Sequence, residues 1–453
     1  MDQTTLTLAN YAAALTYDQL TAGALKELKR RLIDAIGCAI GGYASEPAAI
    51  ARQLAAGSSG QPAARVLGSG GVTSMEMAAF ANAVMVRYLD CNDTYISKGS
   101  GHPSDMMPAC LAVAEAYRAS GRDTLTAIAA AYEIFTALAD VIGLRDRGWD
   151  QGVFVVLGAA AGAAKLMRLT GEQTANALAI AVSSNVPTRQ TRSGELSMWK
   201  GCATAASARA GVFAALLAQK GMTGPTAAFE GRHGIWDQVS GPFQLGRLGG
   251  GGVPFGIERT SLKFFPAEYH SQAPLWLALE LRKKIRVEDI TALHVQIYHM
   301  AWSEIGSEPE KWDPQTRETA DHSLPYLLAA ALTDGSITAG SFSEVRIRDP
   351  QLRQLMQRIT VAENPEFTRQ FPLKLVSQFE VTLRGGQRLV EMAPYPKGTA
   401  QNPMSDADVS GKFADLSRDL LAPARREALL RALWDIELAP DIVPVLDLVR
   451  VEG

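Results

Sequence analysis

The stretch RYLDCNDTYISKGSGHPSD, residues 87–105, decides how this chain is read. It gathers Asp90, Asn92, Asp93, Thr94, His102, Ser104 and Asp105 into one short segment broken by glycines. Apolar runs at residues 77–89 and 106–117 flank it. A polar loop carrying acids and an imidazole is therefore expected between two buried helices, and loops fixed on a rigid scaffold are where binding and catalytic groups concentrate. Ser104 and Asp105 would serve as a cap for the following helix. Capping needs one or two such residues, and this loop carries seven.

Outward from the loop, the first 260 or so residues are helical in pattern. Within residues 17–42, Leu25, Leu28, Leu32, Ile33 and Ile36 share a face at helical spacing. Residues 57–71 form a Gly/Ser/Pro-rich connector around a short apolar piece at 64–67. Residues 124–144 and 152–169 are Ala-rich helix candidates whose small side chains suit close packing. Thr170, with Gln173 three residues on, signals a capping box ahead of another helix. Residues 199–221 repeat the Ala-rich pattern. Small-residue helices in succession argue an all-α domain.

The pattern changes after Leu262. Residues 290–301 alternate, with Leu293, Val295 and Ile297 on one side and His294, Gln296 and Tyr298 on the other, the signature of a half-buried strand. Residues 343–349 and 378–392 read the same way, the latter with Gly385 and Gly386 as a hairpin turn. Residues 322–334 read as a helix between them. After Pro403 the text turns helical again, at 409–413, 423–438 and 442–451. The expected fold is mainly α. A large all-α helical domain, residues 1–262 and 403–453, is interrupted by a smaller inserted α+β domain, residues 263–402. No solenoid-type repeat is present.

Composition narrows the function. A chain of 453 residues exceeds one ordinary core. With 47% hydrophobic and 20% charged residues it is globular rather than disordered. A net charge of −3 and the lack of any basic block argue against nucleic acid or an anionic membrane as partner. The first ten residues lack a secretory leader pattern. No uninterrupted apolar run reaches the roughly 18 residues of a membrane span. A cytoplasmic location is expected. Cys38, Cys91, Cys110 and Cys202 are scattered, without a CxxC pair, so free thiols are expected and an iron–sulfur cluster is not. No HExxH or other dense ligand pattern points to a metal.

Three further polar clusters stand among apolar neighbours. TRQTRSGELSMWK, residues 188–200, places Arg192 and Lys200 at a loop-to-helix junction suited to a carboxylate ligand, with Arg189 expected on a solvated face. SLKFFPAEYHSQ, residues 261–272, puts Lys263 and His270 at the inferred domain junction, a favoured place for small-molecule sites. DHSLPY, residues 321–326, opens a helix in which Ser323 would be the N-cap, with His322 and Tyr326 as candidate site residues. His233, His294 and His299 are expected in surface or structural roles.

Taken together and in order, LDCNDTY…GHPSD, RQTRSGELSMWKG, LKFFPAEYHSQ and ADHSLPYLLAAALTDG resemble the MmgE/PrpD family over nearly the whole chain. Its members dehydrate 2-methylcitrate, decarboxylate cis-aconitate or epimerise iminodisuccinate, and the GELSMWK and FPAEYHSQ text is similar to the dehydratase branch. The resemblance implies a helical domain built from both chain ends, a smaller lid domain, a homodimer, and no metal or organic cofactor. Carried over position by position, it implies a site using Asp90, Thr94, His102, Lys200, Lys263 and Tyr326, with His270 and Arg192 in dehydratase-like versions of their motifs. One departure stands out. Where many relatives read GWDH, this chain reads GWDQ, so Gln151 puts a neutral amide in place of an imidazole.

Removing a proton beside a carboxylate without a metal requires charge neutralisation and a positioned base. His102 is the candidate base, with an unperturbed pKa near 6.5, and Asp90 or Asp93 would orient it. Lys200, Lys263 and Arg192 would hold carboxylates. His270 or Tyr326 would protonate a departing hydroxyl. Asp93, Thr94, Gln151, Arg192 and His322 complete the expected substrate contacts. The expected activity is that of a metal-free lyase dehydrating a 2-methylcitrate-like hydroxy-tricarboxylate. The alternative is an isomerase, epimerase or decarboxylase acting on a related di- or tricarboxylate.

Overall fold

The computed structural model describes residues 1–451. Three helices open the chain: α1 (Gln3–Ala14), α2 (Ala22–Gly42) and α3 (Glu46–Ala56). A two-stranded ribbon, β1 (Ala63–Arg65) against β2 (Val72–Ser74), then leads into α4 (Met75–Tyr88). The short apolar piece in the 57–71 connector thus begins in an extended strand, β1. The loop at 87–105 holds a small hairpin, β3 (Tyr95–Ile96) and β4 (Ser100–Gly101), and ends at α5 (Met107–Ala116). Four long helices follow: α6 (Gly121–Val141), α7 (Gly152–Leu166), α8 (Gly171–Ser184) and α9 (Ala203–Gln219). Thr170 and Gln173 form the expected capping box at the start of α8.

Helix α7 is the hub, buried on nearly every side and packed between α6 and α9. Its glycines make that closeness possible. A Cβ on Gly158 would sit 2.0 Å from Met106 Sδ, and one on Gly211 of α9 would sit 2.7 Å from Ala159 Cβ. Helix α6 is long and apolar enough to cross a membrane, a property that the uninterrupted-run criterion overlooked. Within its most apolar window 83% of residues are buried inside the protein, so that surface is already used by the core.

The chain leaves this helical core at Leu262 and builds a second one. Helix α10 (Gln272–Arg282) precedes β5 (Ile290–Ile297), α11 (His299–Ile305), α12 (Arg317–Ala320), α13 (Leu324–Asp334), α14 (Glu344–Ile347) and α15 (Pro350–Met356). Then come β6 (Ile359–Glu363), α16 (Pro365–Gln370), β7 (Ser377–Leu383) and β8 (Arg388–Ala393). The strands form one sheet in the order β6-β5-β7-β8, with β5 and β6 parallel and the other neighbours antiparallel. Leu293, Val295 and Ile297 point inward, as their alternation implies. Three readings change here. Residues 343–349 are not a strand, because Ser343 caps the short helix α14 instead. The missing strand is β6, whose half-polar ITVAE text carries little pattern. Tyr298 is buried rather than outward, because β5 stops at Ile297 and the alternation stops with it.

The chain returns beside its exit. Leu262 N–H donates to Gly398 O at 3.0 Å, and a Cβ on Gly398, whose φ is +100°, would lie 2.0 Å from that same Leu262 carbonyl. Helices α17 (Asp406–Ser417), α18 (Pro423–Trp434) and α19 (Val443–Asp447) then pack back onto the first core. Lys412 of α17 ties three pieces together: its ammonium donates to Cys91 O at 2.6 Å and Lys263 O at 2.8 Å, and pairs with Asp34 at 2.5 Å. The molecule therefore has two hydrophobic cores, with Phe264 touching both.

Candidate active site

The loop at 87–105 owes its shape to its own polar residues. Helix α4 ends where Asp90 takes φ +50°, a left-handed conformation that a short polar residue tolerates and that stops a helix. Asn92 Nδ2 donates to Ser104 Oγ and to Asp105 Oδ1, both at 2.8 Å. Asp93 accepts from Ser104 N–H at 2.9 Å and from the Tyr132 hydroxyl of α6 at 2.8 Å. Thr94 exchanges both main-chain hydrogen bonds with Ser261, at 2.8 and 2.7 Å. The acids and amides that exceed capping needs thus cross-link the loop and pin it to the segment that starts the second core. Ser104 and Asp105 make no cap hydrogen bond.

Between the two cores lies a cavity of about 790 Å³, solvent mouth included. At its floor sits Asp90. Arg87 Nη1 pairs with it at 2.6 Å, Lys200 Nζ at 3.0 Å, and Lys263 Nζ bonds both its carboxylate and, at 2.9 Å, its carbonyl. All four side chains are at most 2% exposed. Burial alone would raise the Asp90 carboxyl, but Arg87, Lys200 and Lys263 outweigh it and hold the group well below the usual carboxylate range. Behind it, Lys200 also reaches Asp321, at 2.8 and 3.0 Å.

Three imidazoles face the cavity, and burial pushes all three toward the neutral form. His102 Nδ1 lies 2.7 Å from Asp93 O and 3.1 Å from Thr94 Oγ1. A carbonyl only accepts, so Nδ1 carries the proton and the lone pair is left on Nε2. Burial, reinforced by Arg87 and Lys263, drives the His102 pKa well down. His322 Nδ1 donates to Asp321 Oδ1 at 2.6 Å, and its Nε2 lies 3.8 Å from Asp90. Burial and then Lys200 bring its pKa to about 4. His270 Nδ1 bonds the Tyr298 hydroxyl, and burial brings its pKa to about 3.

Across the cavity, Glu304 of α11 is held by Arg145 at 2.5 Å and by Arg189. Those two guanidiniums outweigh burial and keep it ionised. Glu268 is different. Its Oε2 accepts the His270 main-chain N–H at 2.6 Å, while Oε1 lies 3.9 Å from His270 Nε2 and takes no hydrogen bond among the described residues. Burial first, and Glu304 second, raise its pKa to about 8.

The structure brings Asp90, Thr94, His102, Gln151, Arg192, Lys263, His270 and His322 into the lining of one cavity. Three other candidates lie elsewhere. Tyr326 is fully buried in the second core, where its hydroxyl donates to Ser341 O. The Asp93 carboxylate is spent on Ser104 and Tyr132, and only its main-chain carbonyl serves His102. Lys200 is absent from the cavity lining and is clasped by Asp90 and Asp321. Gln151 lines the cavity, with Oε1 accepting the His102 main-chain N–H at 2.5 Å. Arg189 is no solvated face, since it binds Glu304. Sequence reading passed over Arg87, Arg145, Glu268, Tyr298, Glu304 and Asp321. Glu268 and Asp321 were inside quoted motifs, and their position beside a candidate histidine was the available signal.

Among the described residues, Asp90, Asp321 and His322 are the one group spaced to hold a metal. The Lys200 ammonium already sits against all three, at 3.0, 2.8 and 3.3 Å, so a cation fills that place.

A cavity between two cores, floored by a compensated carboxylate and ringed by cations and neutral imidazoles, defines a protein that binds anions and can move protons. The MmgE/PrpD N-terminal domain matches residues 6–248 and the C-terminal domain of the same family matches residues 265–436, so the chain belongs to the MmgE/PrpD family. It is 29% identical to a 2-methylcitrate dehydratase of Cupriavidus necator, covering 96% of this chain and 94% of that one. It is 30% identical to a 2-methylcitrate dehydratase of Escherichia coli strain K12 over 72% of this chain and 71% of the relative. A human cis-aconitate decarboxylase is 26% identical over 93% and 89%.

Proposed function

We propose that this protein is a lyase that removes water from a hydroxy-tricarboxylate of the 2-methylcitrate kind, without a metal. The observation that carries the reading is the charge of the cavity. Arg87, Lys98, Arg145, Arg189, Arg192 and Lys263 line it against three carboxyls, Asp90, Glu268 and Glu304. Arg192 binds Asp150 at 2.7 Å, yet its Nη2 is buried without a hydrogen-bond partner, a donor that a ligand carboxylate would satisfy. The names of the relatives supply the choice of acid.

In this reading the substrate carboxylates lie among Arg192, Arg145 and Lys263. His102 Nε2 takes the proton beside one of them. Lys263 and Arg87 face the enediolate-like charge that develops, in a site where burial strengthens their effect. The carbon–oxygen bond to the hydroxyl then breaks, and the double bond forms.

A panel of di- and tricarboxylates followed by proton NMR in deuterated water, with EDTA present, tests this. The expected result is water loss from a hydroxy-tricarboxylate, abolished in a folded His102→Ala variant. Decarboxylation of an unsaturated tricarboxylate, or exchange without elimination, would instead assign the decarboxylase or epimerase chemistry.

A further inference from the structure

Elimination needs a proton for the departing hydroxyl, and few groups at this cavity hold one. The three imidazoles are neutral and lodged among cations. Gln151 has no titratable proton. Tyr326 does not reach the cavity. Tyr298 is committed to His270, the Tyr269 hydroxyl donates to Ser261 Oγ at 3.0 Å, and the Lys263 ammonium is held by Asp90. That leaves the three cavity carboxyls, and their surroundings sort them. Asp90 is paired with Arg87, Lys200 and Lys263. Glu304 is paired with Arg145 and Arg189. Glu268 has no cation within ion-pair distance among the described residues, and it faces a second carboxylate, Glu304.

We propose that Glu268 is the proton donor to the leaving hydroxyl, a role that rests on the dehydration reading above. Its main chain and its side chain are each fixed once: its own N–H donates to Asp321 O at 3.0 Å, and Oε2 receives the His270 N–H. The remaining oxygen, Oε1, is free to carry a proton toward the cavity. Lys263 and Arg145 pull this carboxyl toward ionisation, whereas Asp90, Glu304 and burial oppose them and keep it protonated near neutral pH. Tyr269 and Tyr298 beside it are themselves pushed upward by burial, so neither adds a charge.

The step balances. His102 Nε2 takes the C–H proton, and the electron pair left behind becomes the double bond. The carbon–oxygen bond breaks toward oxygen, which receives the Glu268 proton and leaves as water. Imidazolium and carboxylate then return to their starting forms by exchange with solvent.

Two measurements test the role on full-length protein. In Glu268→Gln, the amide oxygen keeps the His270 contact but the acid is lost. Water elimination should fall by about 10²–10⁴-fold, whereas C–H exchange into deuterated water should continue, and elimination of fluoride from the matching fluoro analogue, which needs no protonation, should survive. Loss of exchange, water and fluoride elimination together in folded protein would make Glu268 structural and overturn the proposal, as would water elimination at the wild-type rate. In the wild type, the pH–rate profile for water loss should carry a basic limb near 8 that the fluoride profile lacks. A limb shared by both profiles would also overturn it. Wild-type protein that neither eliminates nor exchanges sinks the dehydration reading itself.

Discussion

Two positions in the cavity lining treat the same chemical group in opposite ways. Asp90, with its side chain 1% exposed, and Glu268, with its side chain 13% exposed, are carboxyls lining the same cavity. Three cations around Asp90 hold it ionised, while Glu268 has no cation at ion-pair distance among the described residues and is pushed up to about 8. Burial acts on both, so partners alone decide the difference. One position is a fixed negative charge that organises cations; the other is a store for a proton. Dividing those duties between two carboxyls of one site is how acid and base chemistry coexist near neutral pH.

The sharpest way to break this contrast is to remove the compensated carboxyl. Asp90→Ala would leave Arg87, Lys200 and Lys263 buried with their shared counter-charge gone. Removing one partner from such a buried cluster costs about 3–5 kcal/mol. The variant should unfold at distinctly lower denaturant, and stability within about 1 kcal/mol of wild type would show that the three cations do not depend on Asp90.

The uncompensated carboxyl predicts a smaller effect with a distinctive sign. Between the ordinary glutamate pKa of 4.5 and about 8, the folded Glu268 keeps its proton while the unfolded chain releases it. The folded state then binds more protons, so this group's contribution to stability falls as pH rises through that window and levels off above it. Glu268→Gln abolishes the effect. Relative to wild type, the variant should therefore gain on the order of 1–3 kcal/mol between pH 5 and pH 8 in denaturant melts. A difference that stays flat with pH would mean that Glu268 is ionised in the fold.

The helical half was legible because its signals are local and redundant. Capping at Thr170, the small side chains of α7 and apolar periodicity each point the same way. The four motifs were legible as clusters, since several reactive residue types stand together in each. Which member of a cluster faces the ligand was not, because that depends on partners far along the chain. Lys200 looks like a free cation until Asp321, 121 residues away, is seen to clasp it. Arg189 looks solvated until Glu304 arrives from α11. Glu268 gives only its place two residues before His270, because what marks it is the lack of a cation at ion-pair distance among the described residues. The strand at 359–363 was missed for a similar reason: its half-polar text pairs through the backbone with β5, and register of that kind leaves no local trace.

Tyr326 offers the gentlest probe of the same distinction. Sequence places it four residues after His322, at the end of a motif, residues 321–326, that reaches the cavity. In the fold, Ser323 Oγ accepts the Tyr326 main-chain N–H at 3.2 Å and starts α13 there. The helical turn then carries the phenol away from His322 and into the second core, against Phe342. Its hydroxyl is satisfied by Ser341 O rather than by anything in the cavity. Tyr326→Phe should therefore cost about 1 kcal/mol of stability, the worth of one buried hydrogen bond, and leave kcat and KM for water elimination within about twofold of wild type. A drop in kcat by the 10²-fold or more that loss of an acid–base group brings, without a matching loss of stability, would mean that the ring swings into the cavity during turnover, and the proton donor would have to be sought there instead of at Glu268.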